Sequence, residues 1–393
     1  MGSIARDEDV AVACPQLTGD VIPSPLKIFD AARRQDRFLY ACAPMVRYSK
    51  LAFRQTVHKY GVDLCWTPMI LAKEFNRNQF ARDSGIQPPT VVQFGANDPQ
   101  ELARASTLVA PFVSGVDLNC GCPQSWACAE TLGAALMNER ERVRDMVVET
   151  RQHLERDGWG VKMEDDMHSP KGRSVSVKIR VHDDLRRTMD FLDTVIGPPQ
   201  NRLVDWVTIH PRTRHTPSTT PIRTEALEIL TEKYSRTLPI LLSGDVFDLA
   251  TLPIKSTTSI PDLATLTVKE DPQDTCASAT TQPRPSNTNL SGFMSARGLL
   301  ANPALFAGHL SCPWETLETF MCNVARCPLP LKLVVHHVQE MCAPGMGGDK
   351  SALLNKKERA RLVEFTNMAD LIDFLDEKIE EYTGQKGGMR RDL

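Results

Sequence analysis

Residues 115–137 bring three cysteines close together, Cys120, Cys122 and Cys128. Cys122 stands in a Gly-Cys-Pro turn. Pro123 removes a backbone donor and fixes its own φ, so this turn presents the Cys122 thiol rather than packing it. The spacing Cys120-Gly-Cys122 is not the C-x-x-C of a redox or zinc pair. Cys42, Cys65, Cys120 and Cys128 are expected to be small buried hydrophobes.

Lys178 lies within an otherwise apolar run, where an unpaired ammonium is costly. It can form a Schiff base with a carbonyl substrate, contact an electron-rich cofactor ring, or pair with an interior carboxylate. Gln93 can read the edge of a flat heterocycle through its amide, or simply be a satisfied buried amide. Gly244 and Gly298 follow two later apolar runs. Glycine turns allow backbone N–H groups to approach an anion, and a helix start adds a favourable dipole. With charge from His210 or Arg297 this becomes a phosphate pocket; the rival reading is two ordinary turns. Asn302-Pro303 reads as a helix N-cap and first turn. The His and Cys residues of 309–342 lack zinc-finger spacing, so no metal is expected.

The elements that must position these residues recur in a regular order. Apolar runs occur at 38–43, 62–67, 90–95, 115–119, 175–180, 204–210, 239–243 and 291–295. Each is continuous rather than alternating, as in parallel strands buried on both faces. Helical spacing fills 50–60, 99–110, 126–137 with 141–156, 184–196 and 224–235. Eight β/α alternations predict a TIM (β/α)8 barrel. No run leads into G-x-G-x-x-G, which argues against a doubly wound sheet. The polar residues named above sit at the C-terminal ends of the runs, where such barrels carry their sites.

Residues 1–30 are expected to be a flexible lead-in and 31–310 the barrel. A Ser/Thr/Pro-rich insertion at 252–289 stands where a helix belongs. Beyond 310 the runs 313–325, 329–342, 356–368 and 370–382 are helical, predicting an all-α bundle over 311–393. The 393 residues carry a net charge of −3, which does not advertise nucleic acid over the surface as a whole. Eleven cysteines, an odd number, point to a reduced intracellular compartment. No secretory signal or membrane span is expected.

The residues resemble a known family. Asp117-Leu-Asn119-Cys-Gly-Cys122-Pro-Gln-Ser-Trp is similar to the catalytic loop of the flavin-dependent tRNA-dihydrouridine synthases. So are Ala43-Pro44-Met45-Val46, Gln93-Phe-Gly, Val177-Lys178-Ile-Arg180, His210-x-Arg212-Thr213, Gly244-Asp245 and Met294-Ser-Ala296-Arg297-Gly-Leu-Leu-Ala-Asn-Pro. They stand in the family's order across 38–310, and resemble most the eukaryotic (20a/20b) type.

The resemblance implies FMN over the barrel mouth. Pro44, Met45, Val46, Gln93 and Lys178 would meet its ring, and His210, Ser243, Gly244, Asp245, Ala296 and Arg297 its phosphate. It implies NADPH or NADH as reductant and tRNA as substrate. The target uridine, at D-loop position 20a or 20b, would be flipped out of the fold. Reduction would place hydride at C6 and a proton from Cys122 at C5, with Asn119, Arg180 and Arg212 as substrate contacts. The bundle would be the tRNA-binding domain, with His336, His337, Lys356, Lys357 and Arg361 as candidate contacts. The enzyme would work in the cytoplasm, or in cytoplasm and nucleus, without an obligate protein partner. Three departures from the family pattern are Ser243 where Asn is common, Pro211 where Gly is common, and the 252–289 insertion, which matches no family element. A flavin barrel acting on a small molecule such as a free pyrimidine, a non-catalytic tRNA-binding barrel and a Lys178 aldolase remain as rivals.

Overall fold

The structure is a computed structural model that describes residues 23–77, 88–253 and 289–385. Among the described residues are nine parallel strands: β1 (Leu39–Cys42), β2 (Leu64–Trp66), β3 (Ile70–Leu71), β4 (Thr90–Gly95), β5 (Gly115–Cys120), β6 (Ser174–Arg180), β7 (Val207–His210), β8 (Ile240–Ser243) and β9 (Gly292–Ser295). Neighbouring strands pair in the order β1, β2, β4 to β9, and β9 returns to β1, so eight strands close into a barrel. The two-residue β3 extends the β2 side alongside β4, pairing Ile70 with Phe94. Each of the eight expected runs contributes one barrel strand.

Alternation along the strands separates two apolar cores. Leu39, Ala41, Leu64, Trp66, Val91, Trp206, Leu241 and Met294 fill the barrel interior. Val92, Phe94, Val116, Leu118, Val177, Ile179, Ile209 and Leu242 point outward into the helical layer. That layer includes α2 (Leu51–Lys59), α4 (Pro99–Val109), α6 (Arg140–Arg156), α7 (Leu185–Ile196) and α8 (Thr224–Tyr234). Asp98 and Asp184 start α4 and α7 by accepting the backbone N–H of Glu101 and Arg186, as N-cap carboxylates do.

Helix α1 (Pro25–Arg34) corrects the expected lead-in. Leu26, Phe29 and Ala32 are buried against the barrel interior, and the Phe29 ring lies 5.6 Å from that of Trp206. Trp206 immediately precedes β7, so α1 plugs the N-terminal end of the barrel. Residues 1–22 and most of the insertion, 254–288, lie outside the described residues, as does the helix sought between β8 and β9.

The expected helix 126–137 is broken. Helix α5 spans Ser125–Ala129, and a 3-10 turn follows at Gly133–Asn138. Between them Thr131 and Gly133 adopt positive φ, 55° and 60°. The expected start at Asn302 is corrected too. The helix after β9 is α9 (Arg297–Ala301), and Asn302 ends it. The Asn302 side chain then closes the next turn by accepting the N–H of Ala304 and donating to the carbonyl of His309.

The C-terminal region is helical: α10 (Trp314–Arg326), α11 (Leu331–Met341), α12 (Lys356–Arg361) and α13 (Met368–Thr383). The expected helix 356–368 stops at Arg361. Phe365 is extended, and Asn367 caps a fresh start by accepting the N–H of Asp370. The region packs directly on the barrel's helical layer. Asn323 on α10 donates to Thr56 on α2 at 2.9 Å. The buried His337 on α11 stacks on Phe53 of α2 at 5.0 Å and contacts Tyr48 edge-on. His337 is therefore a packing residue and not an RNA contact, whereas His336, Lys356, Lys357 and Arg361 are exposed.

Candidate active site

The same alternation that fills the interior with apolar groups sets its upper layer. Inward positions continue to Ala43, Gln93, Asn119, Lys178, His210, Ser243 and Ala296 at the C-terminal ends of seven strands. The strand register holds Gln93 opposite Asp117, Asn119 opposite Lys178, and Arg180 opposite His210. Thus the expected residues from 43 to 297 converge on one barrel mouth.

The Cys122 turn is held by backbone and amide contacts. Asn119 Oδ1 accepts the N–H of Cys122 at 2.8 Å and of Gly121 at 3.0 Å. Its Nδ2 donates to Gln93 Oε1 at 2.7 Å. From the other side, the N–H of Ala134 donates to the Cys122 carbonyl. Gly133 leaves no room for a side chain, since a Cβ would meet that carbonyl at 2.6 Å. Burial pushes the Cys122 thiol up from its ordinary value, so it is protonated at neutral pH. Cys120 is fully buried, as expected. Cys128 is half-buried, and its Sγ donates to the Cys122 carbonyl at 3.7 Å, so it braces the turn rather than filling the core.

Lys178 makes no hydrogen bond or ion pair with any described residue. Burial, and then the neighbouring Arg180, lower its pKa to about 8. Asp117 and Cys122 lie near enough to oppose that shift. The interior carboxylate pairing considered for Lys178 is thus absent as a direct contact among the described residues.

His210 is held neutral. Burial and the cations Lys178, Arg180, Arg212 and Arg297 push it down to about 2. Arg212 Nη1 lies 3.0 Å from His210 Nε2. A guanidinium only donates, so Nε2 accepts and the ring proton sits on Nδ1. His210 can therefore offer a neutral N–H to an anion but not the positive charge expected of it. The β8 turn closes over it: Gly244 has φ +115°, and a Cβ there would stand 3.0 Å from the imidazole.

Two expected substrate residues have other work. Arg212 is 2% exposed and spends its guanidinium on Asp245 at 2.5 Å, the Thr220 carbonyl at 2.6 Å and His210. It is a buttress for the histidine and the β8 turn, so its expected substrate contact is corrected. Asp245 Oδ2 also accepts the N–H of Ile222, which turns the carboxylate away from the turn's own backbone. Arg180 donates from Nε to the Gly121 carbonyl and from Nη1 to that of Thr213, both at 2.8 Å. It ties the thiol turn to the β7 loop and keeps Nη2 for a further acceptor.

Around the rim, Met45 is buried and Val46 is exposed. Ser49 binds Met45 at both its N–H and its carbonyl, fixing the Pro44–Val46 loop. Arg297 reaches the Ser218 carbonyl and lies over the Phe247 ring. Ala296 stands at the start of α9, and Gly298 is required there because a Cβ would meet the Val246 carbonyl at 2.4 Å. The unpartnered Lys178 ammonium, the free Nδ1–H of His210 and the small residues Gly244 and Ala296 together fit a flat, anionic, phosphate-bearing ligand such as FMN. Among the described residues no cluster of His, Cys, Asp and Glu has the form of a metal site, and no helix is long and apolar enough to cross a membrane.

Sequence reasoning assigned no role to Asp117, Ser176 or Gly133. Asp117 is buried, accepting from Gln93 Nε2 at 2.7 Å and Ser176 Oγ at 2.6 Å. Its signal was available: a carboxylate inside a buried run calls for explanation as much as Lys178 does.

The chain is similar to known proteins. The family model for dihydrouridine synthase (Dus) matches residues 41–255. A Homo sapiens protein named tRNA-dihydrouridine(20a/20b) synthase (NAD(P)+)-like is 37% identical over 306 residues, covering 75% of this chain and 78% of its own. The Schizosaccharomyces pombe tRNA-dihydrouridine(20a/20b) synthase (NAD(P)+) is 33% identical over 91% of this chain and 93% of its own. The Saccharomyces cerevisiae protein of that name is 31% identical over 95% and 88%.

Proposed function

The chain belongs to the dihydrouridine synthase family of oxidoreductases, and from that membership we propose that it is an FMN-dependent tRNA-dihydrouridine synthase of the 20a/20b type. Its substrate is a D-loop uridine, and its reductant is NADPH or NADH. FMN, when bound, supplies the two electrons that saturate the C5–C6 bond of the base.

The chain's own residues do the rest. Lys178 and the Pro44–Val46 loop would hold the flavin ring, with the Lys178 ammonium able to offset negative charge on it. His210 Nδ1–H, the backbone of Ser243–Gly244–Asp245 and the Ala296–Arg297 turn would hold its phosphate. Gln93 presents whatever hydrogen-bonding capacity the Asp117 carboxylate and the Asn119 amide leave it. The uridine enters the mouth flipped out of the RNA, because its reactive bond is inaccessible in a folded loop. Cys122 holds the proton destined for C5. A general acid must be protonated before it acts, which suits a thiol raised by burial and would not suit a low-pKa thiolate. The second Nδ2–H of Asn119 and the Nη2 of Arg180 are available to the base and its backbone. The C-terminal helices supply the RNA-binding surface.

The observation that carries this reading is the half-buried Cys122, its backbone anchored by Asn119 at a barrel mouth where Lys178 makes no hydrogen bond or ion pair with any described residue. Site-resolved dihydrouridine mapping in tRNA from cells carrying wild type or Cys122→Ala tests it. Loss of dihydrouridine at 20a and 20b in the variant is expected, and undiminished modification would remove Cys122 as the acid. Purified protein that stays colourless with added FMN would overturn the flavin assignment and favour an amine role for Lys178.

A further inference from the structure

A continuous line of polar contacts runs from Ser176 on β6 to the backbone of the Cys122 turn. Ser176 Oγ donates to Asp117 Oδ1 at 2.6 Å, and Gln93 Nε2 donates to Asp117 Oδ2 at 2.7 Å. Asn119 Nδ2 donates to Gln93 Oε1 at 2.7 Å, and Cys122 N donates to Asn119 Oδ1 at 2.8 Å. Asp117, Gln93 and Asn119 are all buried. Every amide in this line has two possible orientations; at one end the backbone N–H groups of Gly121 and Cys122 only donate, so the whole line is satisfied only if its other end accepts. An ionised carboxylate accepts and never donates. Burial raises Asp117 to about 6, which leaves it ionised at neutral pH.

We propose that Asp117 is a positioning residue that sets the polarity of the Gln93 and Asn119 amides and so delivers an acceptor oxygen to the Cys122 backbone. Gln93 must turn its NH2 to the carboxylate, which leaves its oxygen for Asn119. Asn119 must then give its NH2 to Gln93, and its oxygen meets the N–H groups of Gly121 and Cys122. If Asn119 reversed, its NH2 would face the N–H of Cys122 and the turn would lose its anchor; if Gln93 reversed, its oxygen would face the carboxylate and its NH2 that of Asn119. The role of Cys122 as acid rests on the proposed function; the orienting role of Asp117 concerns the turn itself and can be read without RNA.

Three isosteric variants separate this from simple packing. Asn119→Asp keeps the acceptor for Cys122 but sets its carboxylate against Gln93 Oε1, which Asp117 holds in place. Asp117→Asn alone still offers Gln93 an oxygen. The double variant Asp117→Asn with Asn119→Asp allows Gln93 to reverse, donating to the carboxylate now at position 119 and accepting from the amide now at position 117. The readout is the rate of Cys122 alkylation by iodoacetamide in the flavin-loaded enzyme, resolved by peptide mass, with NADPH-driven flavin reduction as a check on the pocket. The Asn119→Asp rate should differ from wild type by about tenfold, the scale of one unmade buried hydrogen bond. Asp117→Asn and the double variant should each lie within about threefold of wild type. A double variant no closer to wild type than Asn119→Asp, or an Asn119→Asp rate equal to wild type, overturns the proposal. Loss of dihydrouridine in the Cys122→Ala cells stands or falls separately.

Discussion

Replacing Gly133 by alanine should cost catalysis more than its position outside the contact shell suggests. The added Cβ would lie 2.6 Å from the Cys122 carbonyl oxygen and 2.8 Å from the Cys122 Cβ. Ordinary contact begins near 3.4 Å. The shortfalls, 3.4 − 2.6 and 3.4 − 2.8, require the turn to retreat by about 0.6–0.8 Å. The φ of +60° adds strain for any residue with a Cβ. Left-handed strain and overpacking together predict a loss of roughly 2–4 kcal/mol in unfolding free energy. A displacement approaching 1 Å at a reacting group costs on the order of a hundredfold in rate. The expected result is a ~10- to 100-fold slower transfer to tRNA in a single turnover from pre-reduced enzyme. Flavin reduction by NADPH, which does not use the thiol, should stay within about twofold. A variant that melts lower yet transfers at the wild-type rate would refute the claim that Gly133 sets the thiol's place.

Other expectations follow from the same site. Gly244→Ala would put a Cβ 2.9 Å from Ile222 and 3.0 Å from His210 at a φ of +115°; FMN affinity, followed by flavin fluorescence, should fall at least about tenfold with the fold retained. Arg212→Met leaves the Asp245 carboxylate without its cation and should cost roughly 3–5 kcal/mol in urea unfolding, with part recovered in the double variant with Asp245→Asn. Asp117 ionises near 3.8 in the unfolded chain and at about 6 within the fold. The folded state therefore holds this proton more tightly, and stability from this group falls as pH rises from about 4 to about 6, by roughly 3 kcal/mol. Unfolding of wild type and Asp117→Asn across that range should diverge with this sign; a constant difference would contradict it.

The barrel was legible because its strands are buried on both faces and so read as continuous apolar runs. The polar residues at the ends of those runs were legible for the same reason, since each interrupts a hydrophobic pattern. What escaped depends on partners far apart in the chain. Arg212 looked free for substrate because Asp245 is 33 positions away. His337 looked like a surface base because Tyr48 and Phe53, which bury it, belong to the barrel. Helical periodicity ran through 126–137 because Gly133 is small and flanked by apolar residues. The left-handed φ there follows from the approach of Cys122, which no local pattern encodes. Helix α1 was hidden by its charged face, while Leu26, Phe29 and Ala32 found their complement only inside the barrel.

The contact between the C-terminal helices and α2 has a metrical consequence. Asn323 is bonded to Thr56, Tyr60 reaches Thr319, and His337 is wedged between Phe53 and Phe320. Helix α2 is in turn the direct continuation of the Pro44–Val46 loop at the mouth. The helical region is thus bolted to the frame that carries Cys122, rather than swinging from a tether. A polynucleotide that touches both would be gauged by a fixed span, and the nucleotide offered to the thiol would be chosen by its distance along the strand from the point of grip.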